Sequence, residues 1–138
     1  MKEIFKAYDI RGIYPEELNE ELAYRIGREA KTIFPEGPVG VSRDMRRAAP
    51  AIKAALIKGM LEAGIDLVDL GFLSTCMHYF AVGRYGYRGG IQVTASHNPA
   101  EYIGMKFVGP EAVPVAGESG LDRLGEVVGD FSPSPPAR

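Results

Sequence analysis

The chain has 138 residues, 46% of them apolar and 25% charged, with a net charge of −2, the make-up of one soluble globular domain long enough to bury a core. No polybasic run is present, so neither a nucleic-acid nor an anionic-membrane surface is expected, and the single cysteine, Cys76, excludes an internal disulfide framework and a structural zinc cluster. Charges interrupt residues 1–6 before a signal-peptide core can form, and Glu62, Asp66 and Asp69 break the longest apolar region short of the roughly 20 residues of a membrane-spanning helix, so a reducing, cytoplasmic location is expected.

In chain order, the first polar loop is Tyr8-Asp9-Ile10-Arg11-Gly12. Over residues 19–34, Leu22, Ile26, Ala30 and Ile33 recur at steps of three and four behind a capping Asn19, predicting a surface helix with one buried stripe. Pro35 and Gly37-Pro38 end it, and the β-branched run from Val39 to Val41 starts a buried strand. Ile52, Ala55, Leu56, Gly59, Met60 and Ala63 repeat the helical spacing, opened by Pro50 and closed by Gly64 at a left-handed cap. Residues 65–70 and 90–95 read as strands, and 76–85 between them as a helix with Met77, Phe80 and Ala81 on one side. Residues 105–108 add a strand and 121–128 a last short helix.

Alternating strands and helices predict an α/β fold, a three-layer αβα sandwich around a mostly parallel (mixed) sheet of about four strands. The domain spans residues 1–130. Residues 131–138, rich in serine and proline, read as the start of an interdomain linker.

In such a sheet, ligands collect at the carboxyl ends of parallel strands. Three polar loops answer that description: residues 8–12, the Ser42-Arg43-Asp44-Met45-Arg46 segment, and Thr94-Ala95-Ser96-His97-Asn98-Pro99. In the last, a small hydroxyl follows a buried strand and a tight turn follows it, which aims Ser96 outward. Lys106, ten residues on, can fold back toward the same hydroxyl. By composition alone, a catalytic loop and an ordinary solvated turn fit equally well.

The string Thr-Ala-Ser-His-Asn-Pro resembles the active-serine signature of the α-D-phosphohexomutases. Residues 8–12 resemble the opening motif of that family's phosphomannomutase/phosphoglucomutase branch. Arg43-Asp44-Met45-Arg46 is similar to its arginine-aspartate loop, and residues 75–81 to its threonine-proline segment. The chain departs from the family pattern at Ser42, where glycine is common, at Cys76, where proline is common, and at Ile103 and Met105, where an Asn-Gly-Phe-Lys string is frequent.

The resemblance implies the phosphoserine-carrying first domain of an enzyme that interconverts hexose 1-phosphate and hexose 6-phosphate, of mannose and/or glucose, through a bisphosphate. It implies Ser96 as phosphate carrier, Lys106 as acid/base or charge support, and Tyr8, Arg11 and His97 as substrate- or phosphate-binding residues. It also implies Mg²⁺ held through the Ser96 phosphate and the aspartates of a later loop that this chain lacks, with hexose 1,6-bisphosphate as activator and intermediate. Its partners would be hexose phosphates and the later domains of a longer chain.

Structural readings accompany these roles. His97 also fits turn packing and Tyr8 aromatic packing; His78 reads as helix packing, Cys76 as a small buried residue, and Asp44 with Arg46 as a pair bracing its loop. The fragment alone is expected to be inactive, and a stand-alone sugar-phosphate-binding module without turnover is the alternative. A serine hydrolase is disfavoured by the lack of a Gly-x-Ser-x-Gly elbow.

Overall fold

The structure, a computed structural model, describes residues 4–129; the linker expected over 131–138 lies outside them. Its strands are β1 (Ile10–Ile13), β2 (Val39–Arg43), β3 (Leu67–Phe72), β4 (Gly89–Val93) and β5 (Tyr102–Val108), with helices α1 (Glu20–Arg28), α2 (Ala49–Glu62), α3 (Thr75–Arg84) and α4 (Asp122–Gly129). The five strands form one sheet in the order β1-β5-β4-β2-β3. β2 pairs in parallel with β3 and β4, whereas β5 runs antiparallel to both β4 and β1. The helices lie on the sheet as expected, but there are five strands where about four were predicted.

The additional strand is β1, hidden in the segment that reads as a polar loop. Its residues alternate between buried and half-buried, and its existence depends on pairing with β5: a Cβ at Gly104 would stand 2.0 Å from the Ile10 carbonyl oxygen, so only glycine lets the two backbones close. The first helix stops at Arg28 and continues as a 3₁₀ turn over Ala30–Thr32. Its expected cap is present, Asn19 Oδ1 accepting from the Leu22 amide at 3.0 Å. Gly64 ends α2 region at φ +80, the left-handed geometry read from the sequence.

One face of the sheet carries the main core. Ile91 and Val93 of β4, Val39 and Val41 of β2, and Ile103, Met105 and Phe107 of β5 are buried with Ile26 of α1 and Ile52, Leu56 and Met60 of α2. Each such side chain contributes about 1.5–3 kcal/mol by leaving water. The two helices touch at backbone distance. A Cβ at Gly59 would lie 2.2 Å from the Tyr24 carbonyl oxygen, and one at Gly27 2.2 Å from that of Leu56. Alanine at position 59 would gain up to about 1 kcal/mol of helix propensity, but the clash is with backbone that no rotamer change can move. Gly59→Ala is therefore expected to cost a net of about 1–3 kcal/mol, read as a lowered denaturant midpoint at unchanged m-value.

The opposite face is polar. Because side chains alternate along a strand, Gly90, Gln92 and Thr94 of β4 point away from the core that Ile91 and Val93 fill. By register, Ser42, Gln92 and Lys106 form one row across β2, β4 and β5. Thr94, Gly104 and Arg11 form the next, nearer the carboxyl end of β4. Helix α3 packs on the β2 and β4 part of this face. Its buried side is His78, Ala81 and Val82; of the three residues read as sharing one side, Ala81 is buried, whereas Met77 is 57% and Phe80 66% exposed. This orientation has a polar contact behind it. His78 Nδ1 lies 2.7 Å from Ser42 Oγ, and Gly90 leaves room for the ring, since a Cβ there would meet His78 Nε2 at 2.7 Å.

Candidate functional site

The loops after β2 and β4 lie side by side, because those strands are parallel neighbours. Ser96 sits three residues beyond the end of β4, exposed, with φ +53. That left-handed conformation is uncommon for a residue with a Cβ and costs of order 1–2 kcal/mol, so the surroundings must impose it. Thr94 does part of this: its hydroxyl accepts from the Ser96 amide at 3.0 Å and donates to Asp44 Oδ2 at 2.6 Å. Asp44 is anchored in turn, its amide donating to the Val93 carbonyl at 3.1 Å and its Oδ1 accepting from the Arg46 amide at 3.0 Å.

Arg46 reaches across to the serine loop. Nη1 donates to the carbonyls of Pro99 (2.8 Å) and Tyr102 (3.0 Å), and Nη2 to those of Ser96 (2.9 Å) and Asn98 (2.6 Å). The expected Asp44–Arg46 pair is present, Nε to Oδ2 at 3.8 Å, but it is the longest of these contacts. The bracing acts between the two loops more than within one. Asn98 closes the turn from inside, its Nδ2 donating to the Ala95 carbonyl at 2.7 Å.

Arg11, on β1, faces Gly104, which accepts from the Thr94 amide. Its Nε donates to the buried Asp9 carboxylate, 3.1 Å from each oxygen, which fixes the guanidinium plane. Lys106 is half-buried, faces Gln92 and forms no ion pair among the described residues. At about 3.3 Å per residue, Arg11 stands about 7 Å and Lys106 about 13 Å down the sheet from the level Ser96 would hold in an extended strand. Both lie on the face that Thr94 shares, Lys106 on the strand next to β4 and Arg11 one strand further, so two cations are set back from the exposed hydroxyl on that face. That arrangement suits an anion.

The other expected residues are more dispersed. His97 is exposed beside Ser96. Tyr8, 74% exposed, precedes β1 on the far side of Ile10 from Arg11 and lines a separate cleft of about 440 Å³ with Ala7, Ala116, Gly117, Glu118 and Asp122. Cys76, expected buried, is exposed, because α3 turns His78 inward and position 76 lies on the other side of the helix. His78 is buried, as its packing reading required, and burial lowers its pKa from 6.5 to about 4. Beside it, Tyr79 has its phenol pKa raised, first by burial and then by the charges of Cys76 and Asp9.

Sequence reasoning gave no role to Thr94 or Asp9. Each sits two residues from the group it holds, the spacing at which Ser, Thr, Asn and Asp side chains turn back on the local backbone. That spacing was the available signal for Thr94. Asp9 had only its place beside Arg11.

The residues and fold agree with known proteins. The family model for phosphoglucomutase/phosphomannomutase, alpha/beta/alpha domain I, matches residues 2–123. The chain is 47% identical over 137 residues to a phosphomannomutase of Escherichia coli, covering 97% of itself and 30% of that protein. It is equally similar, 47% over 137 residues, to a phosphomannomutase of Klebsiella pneumoniae, of which it covers 87%. A crystal structure of a phosphoglucomutase/phosphomannomutase family protein from Burkholderia thailandensis superposes with a TM-score of 0.81 at 32% identity, over 98% of this chain and 32% of that one. The chain thus spans under a third of the E. coli and Burkholderia proteins it matches, and it belongs to the phosphoglucomutase/phosphomannomutase family as its alpha/beta/alpha domain I.

Proposed function

We propose that this domain carries the phosphoserine of a phosphohexomutase, an intramolecular phosphotransferase interconverting hexose 1-phosphate and hexose 6-phosphate of mannose and/or glucose. In the forward half, a sugar hydroxyl attacks the phosphorus on Ser96. The bond from Ser96 Oγ to phosphorus breaks, a new bond to the sugar oxygen forms, and the hydroxyl proton passes to a base. The hexose 1,6-bisphosphate turns round, and Ser96 Oγ takes back the other phosphoryl group.

The charge on the moving group must be met by fixed cations. Arg11, held by Asp9 through Nε, keeps its terminal nitrogens for a phosphate fork. Lys106 supplies a point charge and a proton station; His97 and Tyr8 bind the sugar or its phosphate. Mg²⁺, when bound, would offset charge on the Ser96 phosphate, which is the oxygen ligand this domain offers. Among the described residues, no group of three or more His, Cys, Asp or Glu side chains comes together to hold a metal ion. The other ligands, and much of the sugar pocket, fall to later domains of a longer chain, so the 138 residues alone are expected to turn over negligibly.

What carries this reading is Ser96, an exposed hydroxyl in a left-handed backbone pinned by neighbouring loops, with Lys106 on the next strand, β5, and Arg11 one strand further, on β1, both on the face that Thr94 shares. It is tested in the full-length parent by intact mass and peptide mapping before and after glucose 1,6-bisphosphate. One phosphate is expected on Ser96. Phosphate elsewhere, or none, overturns it.

A further inference from the structure

Arg11 and Arg46 are separated in role by their hydrogen bonds. Among the described residues, Arg11 uses only Nε internally. Arg46 has both terminal nitrogens filled, each donating to two carbonyls between Ser96 and Tyr102, and its side chain is 13% exposed. A guanidinium carries five donors and no acceptor; with Nη1 and Nη2 committed and Nε turned to Asp44, none is left for a ligand. From this we infer that Arg46 is a positioning residue. It is an internal cation around which the loop 96–102 wraps, and it holds Ser96 at φ +53 so that the hydroxyl faces the phosphate path.

Four carbonyls converging on one group would repel each other without a cation among them, and each bond to a charged donor is stronger than a neutral one. A planar fork matches four acceptors in fixed directions. Lysine, with three rotatable donors on one atom, does not. The bonds reach 50, 52, 53 and 56 residues along the chain, so Arg46 ties the loop after β2 to the loop after β4 and sets the latter against the sheet. Through Asp44 and Thr94 the same loop also holds the Ser96 amide. The catalytic consequence rests on the phosphoserine reading above; the ordering of the loop does not.

The test therefore has two parts. In the 138-residue wild-type chain, the Arg46 Hη protons are expected as distinct, slowly exchanging resonances in low-temperature NMR; averaged, fast-exchanging signals overturn the inference. In Arg46→Lys, the amides of Asn98 and Tyr102, which close the loop, are expected to exchange about tenfold faster or more while β4 amides are unchanged. Unchanged loop exchange overturns it, and the wild-type measurement decides the matter if the variant does not fold. In the full-length parent, Arg46→Lys is expected to lower kcat by about 100-fold with KM nearly constant, whereas Arg11→Lys raises KM. A rise in KM alone for Arg46→Lys would make it a ligand contact and sink the positioning role. Absence of phosphate on Ser96 would sink the function but leave the loop measurements standing.

Discussion

Ser96→Ala in the full-length parent is expected to lose mutase activity by about three orders of magnitude or more, the scale on which a covalent catalyst loses its nucleophile. The companion variant Ser96→Gly separates hydroxyl from backbone. At φ +53, glycine sits without the strain that serine and alanine share, so the loop keeps its shape and stability rises slightly. Both variants are expected to be equally inactive and to take up no phosphate from glucose 1,6-bisphosphate. Retained turnover in Ser96→Gly would mean that loop geometry, not the oxygen, carries the chemistry. The steady-state rate and intact mass of both proteins, with their urea midpoints, decide the question.

The second large effect is on acid stability. His78 is buried with Nδ1 on Ser42 and Nε2 without a hydrogen-bond partner among the described residues, and its pKa falls from 6.5 to about 4 because burial penalises the imidazolium. Above pH 6.5 the ring is neutral in both folded and unfolded chains, and its full contribution is present. Between pH 6.5 and 4 the unfolded chain binds the proton first, so stability falls with falling pH. At about 1.36 kcal/mol per unit, the loss reaches about 3 kcal/mol by pH 4. Urea unfolding from pH 8 to 4.5 is expected to show this slope in the wild type. The double variant Ser42→Ala/His78→Leu, which replaces the buried polar pair by apolar groups, is expected to flatten it. An equal slope in both proteins would place the acid sensitivity elsewhere.

The pH effect comes from a residue whose burial the sequence suggested without its partner. His78 stood in a helical segment, and packing was the natural reading, but Ser42 is 36 residues away. The sequence reads it as the first residue of a polar loop, where the family commonly has glycine, and the structure extends β2 through it. The buried side of α3 shows the same limit. The sequence put Met77, Phe80 and Ala81 on one side of the helix without saying which side is inner. In the structure the Ser42–His78 bond and the space over Gly90 accompany burial of His78, Ala81 and Val82, with Met77 and Phe80 outside. One buried hydrogen bond, from a residue in another element, accompanies this orientation even though His78 Nε2 stays unpaired among the described residues.

By itself, the sequence determined the α/β class, the cap at Asn19, the extent of α2, the buried strands β2 and β4, and the serine loop. Each rests on residues two to four positions apart, which is the range of strand alternation, helical periodicity and capping. Only the tertiary structure decided that β1 is a strand, that β5 runs against its neighbour, that Cys76 faces out, and that Arg46 holds the serine loop. Those outcomes depend on a glycine admitting a second backbone at Gly104 and on hydrogen bonds spanning 36 to 56 residues, where the partner's position comes from the packed sheet and no local pattern records it.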